Sequence, residues 1–148
     1  MLATAHLTPR EPGEGDRFRI ELATDLSRVG EVVETVCAGC FARTAASRRT
    51  QFRLCTVLAE ALANAMLYGN SGDPSRHVIV DVELREDFIV IAVSDEGDGF
   101  NHNAVPLPIG DESLEATRGR GLFMIHRLAD DVAFNDQGNT IWMTLPRQ

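Results

Sequence analysis

Leu58-Ala59-Glu60-Ala61-Leu62-Ala63-Asn64-Ala65-Met66-Leu67-Tyr68-Gly69-Asn70 is the stretch on which the reading of this 148-residue chain turns. Around Glu60 and Asn64 nearly every residue is small or apolar, as in a helix packed into a core. The two polar side chains are four residues apart and so lie one turn apart on one helical face. A polar pair in such a setting either finds hydrogen bonds or faces a cavity that needs it. The plain alternative is a polar stripe facing solvent. The helix is expected to start near Gln51, and Gly69 is a suitable terminator.

Downstream, Gly, Asp and Pro make residues 71–75 a turn. Residues 78–84 alternate with period two and residues 88–94 form a more continuous β-branched run, so both read as strands joined by Arg85-Glu86-Asp87. Ser94-Asp95-Glu96-Gly97-Asp98-Gly99-Phe100 follows at once. Its glycines permit a sharp turn and close approach of backbone to a ligand, and a carboxylate at a strand end, Asp95, suits an exocyclic amine such as that of adenine. An ordinary Asp/Gly loop is the alternative. From residue 95 to 121 five glycines and two prolines dissolve any regular pattern, and a loop of that length is usually functional or mobile. It runs into Arg118-Gly119-Arg120-Gly121-Leu122, placed just before a third helix expected from about Gly121 through Leu122, Ile125, His126, Leu128 and Ala129. Free N–H groups at a helix start beside glycines suit an anion, and Arg118 and Arg120 could add charge. No Gly-Lys-Ser/Thr follows, so this is not a P-loop; a flexible hinge is the alternative. Strands at residues 131–135 and 140–145 flank the turn Asp136-Gln137-Gly138-Asn139.

Upstream, Phe18, Ile20 and Leu22 alternate with charges as a half-buried strand. Asp25 or Ser27 can cap a helix running to Cys40, with residues 42–50 as a connection. Residues 1–16 read as a flexible polar tail without the apolar stretch of an export signal. The sum is one α+β domain over residues 17–148: a two-layer sandwich of a mostly antiparallel, mixed sheet with helices on one face.

Composition sets bounds on function. A net charge of −8 argues against broad contact with phosphate backbones or an electrostatic membrane anchor, and no apolar run approaches the ~20 residues that cross a bilayer. Nucleic acid and membrane are therefore not expected partners, and a cytoplasmic location is expected. Cys37-Ala38-Gly39-Cys40 has the spacing of a redox or half-zinc motif. Yet Val29, Val32, Val33, Val36, Cys37, Cys40 and Phe41 form one apolar helical stripe, which makes both thiols core residues. His6, His77, His102 and His126 are scattered without metal spacing. Arg43, Arg48, Arg49 and Arg53 read as a solvated loop, or else as a protein-contact patch.

Glu-x-x-x-Asn on a helix, a strand leading into Asp-x-Gly-x-Gly, an irregular segment, and Gly-x-Gly-Leu at a helix resemble in this order the ATP-binding superfamily of DNA gyrase, histidine kinases and mismatch-repair ATPases. The resemblance covers about residues 18–146. Within it the chain looks most like the stand-alone bacterial anti-sigma-factor serine kinases, whose ending also resembles Gly121-Leu122-Phe123-Met124-Ile125-His126-Arg127-Leu128-Ala129-Asp130-Asp131-Val132. The resemblance implies ATP and Mg²⁺ as cofactors. It makes Glu60 the general base and Asn64 the Mg²⁺ ligand, an amide oxygen suiting a hard cation. Asp95 would bind adenine, with Gly97 and Gly99 shaping its pocket, and Gly119, Arg120, Gly121 and Leu122 would meet the phosphates; Thr140 would support Asp95 from the next strand. It further implies a sigma factor or an antagonist protein as partner, and a homodimer. Tyr68 departs from the pattern, since such kinases often carry a histidine there. A nucleotide-dependent binding module without catalysis, and a histidine-kinase domain acting in trans, are the competing readings.

Overall fold

The computed structural model describes residues 3–8, 16–42, 45–99 and 114–148, with the backbone alone for 3–8 and 114–117. Its elements are β1 (Ala3–Thr8), β2 (Asp16–Ala23), α1 (Val29–Phe41), α2 (Arg48–Asn64), β3 (His77–Leu84), β4 (Phe88–Ser94), α3 (Leu114–Leu128), β5 (Asp131–Phe134) and β6 (Thr140–Pro146). The strands form one sheet in the order β1-β2-β3-β4-β6-β5. Every pairing among them is antiparallel, so the expected mixed sheet has no parallel pair among the described strands.

Period-two alternation puts one set of side chains on the core face. Ile20 and Leu22 of β2, Val78, Val80 and Val82 of β3, Ile89, Ile91 and Val93 of β4, and Met143 and Leu145 of β6 are all buried. The helices cover that face with Val32, Val36 and Cys40 of α1, Leu54, Leu58 and Leu62 of α2, and Leu122 and Ile125 of α3. This is the two-layer sandwich expected from the sequence. Cys40 lies in the core and Cys37 packs against it, as the apolar stripe required.

Local chemistry sets the helix ends. Asp25 accepts the Ser27 N–H and starts a 3₁₀ turn at Leu26–Arg28 that leads into α1. Ser47 accepts the Thr50 N–H at 3.1 Å, so α2 begins three residues before Gln51. At its far end the chain does not stop but widens into a π turn, Ala65–Gly69, closed by Asn70 N–H to the Ala65 carbonyl at 2.8 Å. Asn70 is fully buried and donates to Thr24 Oγ1 and the His77 carbonyl while accepting the Glu96 N–H. Arg53 leaves the expected solvated cluster: it donates to the Leu128 carbonyl and pairs with Asp130, capping the end of α3. Arg43 lies outside the described residues.

Two readings need correction. Ala3–Thr8, expected within a tail, pairs with β2 from Ala3↔Leu22 to Thr8↔Arg17. The outer edge of β2 offers a row of N–H and C=O groups that a neighbouring strand satisfies, and small residues give such a strand little signal. Residues 1–2 and 9–15 of the expected tail lie outside the described residues. The third helix begins at Leu114, not near Gly121. Leu114, Glu115, Ala116 and Arg118 are good helix formers, and packing against α2 outweighs the roughly 1 kcal/mol that each of two interior glycines costs. Of the long irregular segment, residues 100–113 lie outside the described residues.

Candidate functional site

β4 delivers Asp95 to the mouth of the sandwich. Its N–H donates to the Asn139 carbonyl at 2.9 Å, extending the β4–β6 ladder one bond beyond Ser94↔Thr140. The Gly97 N–H donates to Asp95 Oδ1 at 2.8 Å, and Asn139 Nδ2 donates to the Gly97 carbonyl at 3.2 Å. The turn therefore holds its own carboxylate and is tied to the β5–β6 turn. Three glycines make this possible. A Cβ at Gly69 would strike the Asp95 carboxylate, one at Gly97 the Gly69 carbonyl, and one at Gly99, whose φ is +86°, the Gln137 carbonyl. Burial raises the pKa of Asp95 above its ordinary value, while the Gly97 N–H, Arg118 and Arg76 pull it back down.

Beside this carboxylate opens a half-open pocket. Asn64 and Ala65 line it from the α2 side, Asp95 from β4, Arg118 and Leu122 from α3, and Thr140 from β6. Asn64 and Asp95, from two motifs far apart in sequence, thus line one cavity, whereas Glu60, Gly97 and Gly99 do not. The Asn64 amide nitrogen and the Tyr68 hydroxyl are both buried without a hydrogen-bond partner among the described residues. Such groups are costly to leave in a folded interior and are expected where a ligand completes them. The Arg118 guanidinium stands over the Tyr68 ring, 5.3 Å from its centroid, close enough for a cation–π contact.

The glycine box on α3 departs from its expected place. Gly119, Arg120 and Gly121 lie inside the helix, where the N–H of an interior residue is directed along the helix to a carbonyl and not outward to an anion. Gly121 instead faces α2: a Cβ there would come 2.8 Å from Glu60 Oε2 and 3.3 Å from Asn64 Nδ2. Leu122 lines the pocket, but Gly119 and Arg120 do not. Thr140 lines it too, although its hydroxyl donates to Ser94 Oγ at 2.9 Å, one residue short of Asp95. Sequence reasoning missed Gly69, Asn139 and the Tyr68–Arg118 contact. Gly69 was visible only as a helix terminator, and nothing local to Asn139 signals its carbonyl bond to Asp95.

The donor set fits an adenine nucleotide at the Asp95 end, where a carboxylate in an apolar pocket suits a flat ring bearing an N–H donor. At the other end, Asn64 offers an amide oxygen and Glu60 a carboxylate, under the turn of α3 that holds Gly121. Among the described residues no cluster of three or more His, Cys, Asp or Glu side chains could hold a metal ion by itself, so a cation here would share its shell with a ligand. No helix among the described residues is long and apolar enough to cross a membrane.

Comparison with known proteins agrees with this geometry. Residues 20–145 match the family described as histidine kinase-like ATPase domain. The serine-protein kinase RsbW of Staphylococcus aureus strain JH9 is 31% identical over 121 residues, which are 76% of this chain and 76% of that protein. The same protein of strain Newman gives the same identity, 31%, over the same 76% of each chain.

Proposed function

The chain belongs to the histidine kinase-like ATPase domain family, and on that premise we propose that it is an ATP-dependent serine/threonine protein kinase that binds a sigma factor and phosphorylates an antagonist protein. The observation that carries the reading is the pocket into which α2 brings Asn64 and β4 brings Asp95. The similarity to serine-protein kinase RsbW supports the choice of serine as acceptor.

ATP with Mg²⁺ supplies the γ-phosphoryl group. Asp95 would accept an N–H of the adenine, while the Gly97 N–H holds Oδ1 and keeps the carboxylate aimed. Asn64 is the candidate Mg²⁺ ligand through its amide oxygen. Glu60, one turn earlier, takes the proton from the acceptor hydroxyl. Phosphoryl transfer rests mainly on positioning and charge neutralisation, so one base and one metal ligand suffice for a domain of this size. Because Gly121 is packed on Glu60 and Asn64, the phosphate end widens when the first turns of α3 give way. The Gly119–Arg120–Gly121 N–H groups are then released toward the phosphates, the role the sequence assigns them.

That same packing favours a second reading, a nucleotide-dependent binding module in which α3 stays packed on Glu60 and no phosphate is transferred. Calorimetric titration with ATP and ADP, with and without Mg²⁺, beside Asp95→Ala tests the shared premise. Saturable binding lost in Asp95→Ala supports the site; no binding at millimolar nucleotide by folded protein rejects both readings. A phosphoserine on the antagonist then separates kinase from binder. A homodimer and a cytoplasmic location remain part of the proposal.

A further inference from the structure

Two thiols eighteen residues apart in sequence meet across the helical layer. Cys37 of α1 and Cys55 of α2 hold their sulfur atoms 2.9 Å apart. Closing that gap to a bond of ~2.05 Å requires less than one ångström of approach. Both residues are half-buried, whereas Cys40, the other thiol of the Cys-x-x-Cys spacing, is 1% exposed and sits in the core. The fold therefore selects a pair different from the one the sequence motif suggests. We propose that Cys37 and Cys55 are a modification site: a low-molecular-weight disulfide oxidises them to an intramolecular disulfide that staples α1 to α2.

The step balances as thiol–disulfide exchange. One of the two sulfurs, as thiolate, attacks a sulfur of the small disulfide and expels one small thiol. The second cysteine sulfur then attacks the resulting mixed disulfide, releases the other small thiol, and forms the Cys37–Cys55 bond. Two thiol protons of the protein end on the two released thiols, and the small disulfide is the species reduced. Burial, with Cys55 and Cys40 nearby, raises the Cys37 pKa, so the exchange is slow at neutral pH and speeds up as pH rises. The bond would close a ring from residue 37 to residue 55 and constrain the unfolded chain. On α2 it lies five residues before Glu60 and nine before Asn64, yet the inference is independent of what those residues do.

The test is to incubate the full chain with glutathione disulfide at pH 7 and pH 9, then measure intact mass and map tryptic peptides without reduction. Loss of two hydrogen masses is expected, with the peptide of residues 29–43 joined to that of 54–76. Cys40→Ala should behave likewise, while Cys37→Ala and Cys55→Ala should each stop at a glutathione adduct or remain reduced. The oxidised chain should melt roughly 5–10 °C higher than the reduced chain, reversibly. Linkage within residues 29–43 would identify Cys37–Cys40 as the pair and overturn the proposal. So would retention of both thiols in folded Cys40→Ala, or a bond that leaves the melting temperature unchanged.

Discussion

Gly69 lies directly against the Asp95 carboxylate, with no room for a methyl group between them. The contact joins the π turn at the end of α2 to the strand-end turn after β4, and it fixes where that carboxylate points. Gly69→Ala should therefore displace Asp95 and weaken ATP binding by at least about tenfold, a loss of about 1.4 kcal/mol. Gly30→Ala is the control. Gly30 sits in α1 with nothing within 4 Å of the place a methyl group would take, so alanine there should leave binding unchanged and raise stability by up to about 1 kcal/mol. Calorimetry and thermal melts on both variants decide the matter; equal ATP affinity in Gly69→Ala and the parent chain would show that the contact does not orient Asp95.

The pKa of Asp95 is raised above 3.8, chiefly by burial. Its folded form then holds a proton more tightly than the unfolded chain does. The stabilising contribution of that proton is fully present below the unfolded value and is lost as pH rises through the folded pKa. Asp95→Asn is accordingly expected to melt above the parent chain at pH 7, with the gap closing as pH falls toward 3.8. Nucleotide affinity runs the other way. It should weaken in the parent as pH drops through the folded pKa, and stay flat in Asp95→Asn. A pH series of melts and titrations on the two proteins checks both trends.

The hairpin of β3 and β4 was legible because β3 has a period-two pattern and β4 a more continuous β-branched run, with three polar residues between. The Glu60/Asn64 face was legible because two polar groups in so apolar a helix demand a partner. What stayed hidden depends on contacts remote in sequence. The helix stops at Gly69 as expected, but its last turn is a wide π turn, after which Asn70 finds its partners at Thr24, His77 and Glu96. Gly119 and Gly121 look like a helix start because glycine is a poor interior residue, and only packing on α2 reverses that preference. The Cys-x-x-Cys spacing could not reveal that Cys37 faces Cys55, since helical phase locates a face and not its neighbour.

Asn70 ties together the elements around the site without lining it. Its side chain makes three hydrogen bonds in a fully buried position, linking the π turn to Thr24, to the start of β3 and to the turn after Asp95. Asn70→Ala strands the Glu96 N–H and the His77 carbonyl, each unmet group costing about 1–3 kcal/mol. A loss of about 2–4 kcal/mol is expected in urea unfolding, with the m-value unchanged. A loss under about 0.5 kcal/mol would mean that water replaces the amide at no penalty.

If Glu60 is the base, its carboxylate matters to transfer and not to binding. Glu60→Gln keeps the shape and removes proton acceptance, so phosphoryl transfer to a serine should fall by about 10²–10⁴-fold while ATP affinity stays within about threefold. Single-turnover transfer beside calorimetry separates the two quantities. Unchanged transfer would remove Glu60 from the chemistry and favour another base.

Gly121 is where stability and activity are expected to part. A methyl group there would meet Glu60 Oε2 at 2.8 Å, and that atom is the free end of a flexible side chain that can swing aside. The interior of α3 would meanwhile gain the roughly 1 kcal/mol by which alanine is the better helix former, raising the melting temperature by about 2–4 °C. The same gain holds α3 closed over Glu60 and Asn64. Gly121→Ala should then bind ATP about fivefold more weakly, because the helix that must yield has become harder to open. The two effects have a common origin and should appear together in melts and titrations. Higher stability with unchanged affinity would mean that α3 does not have to open, and that the phosphates reach Asn64 by another path.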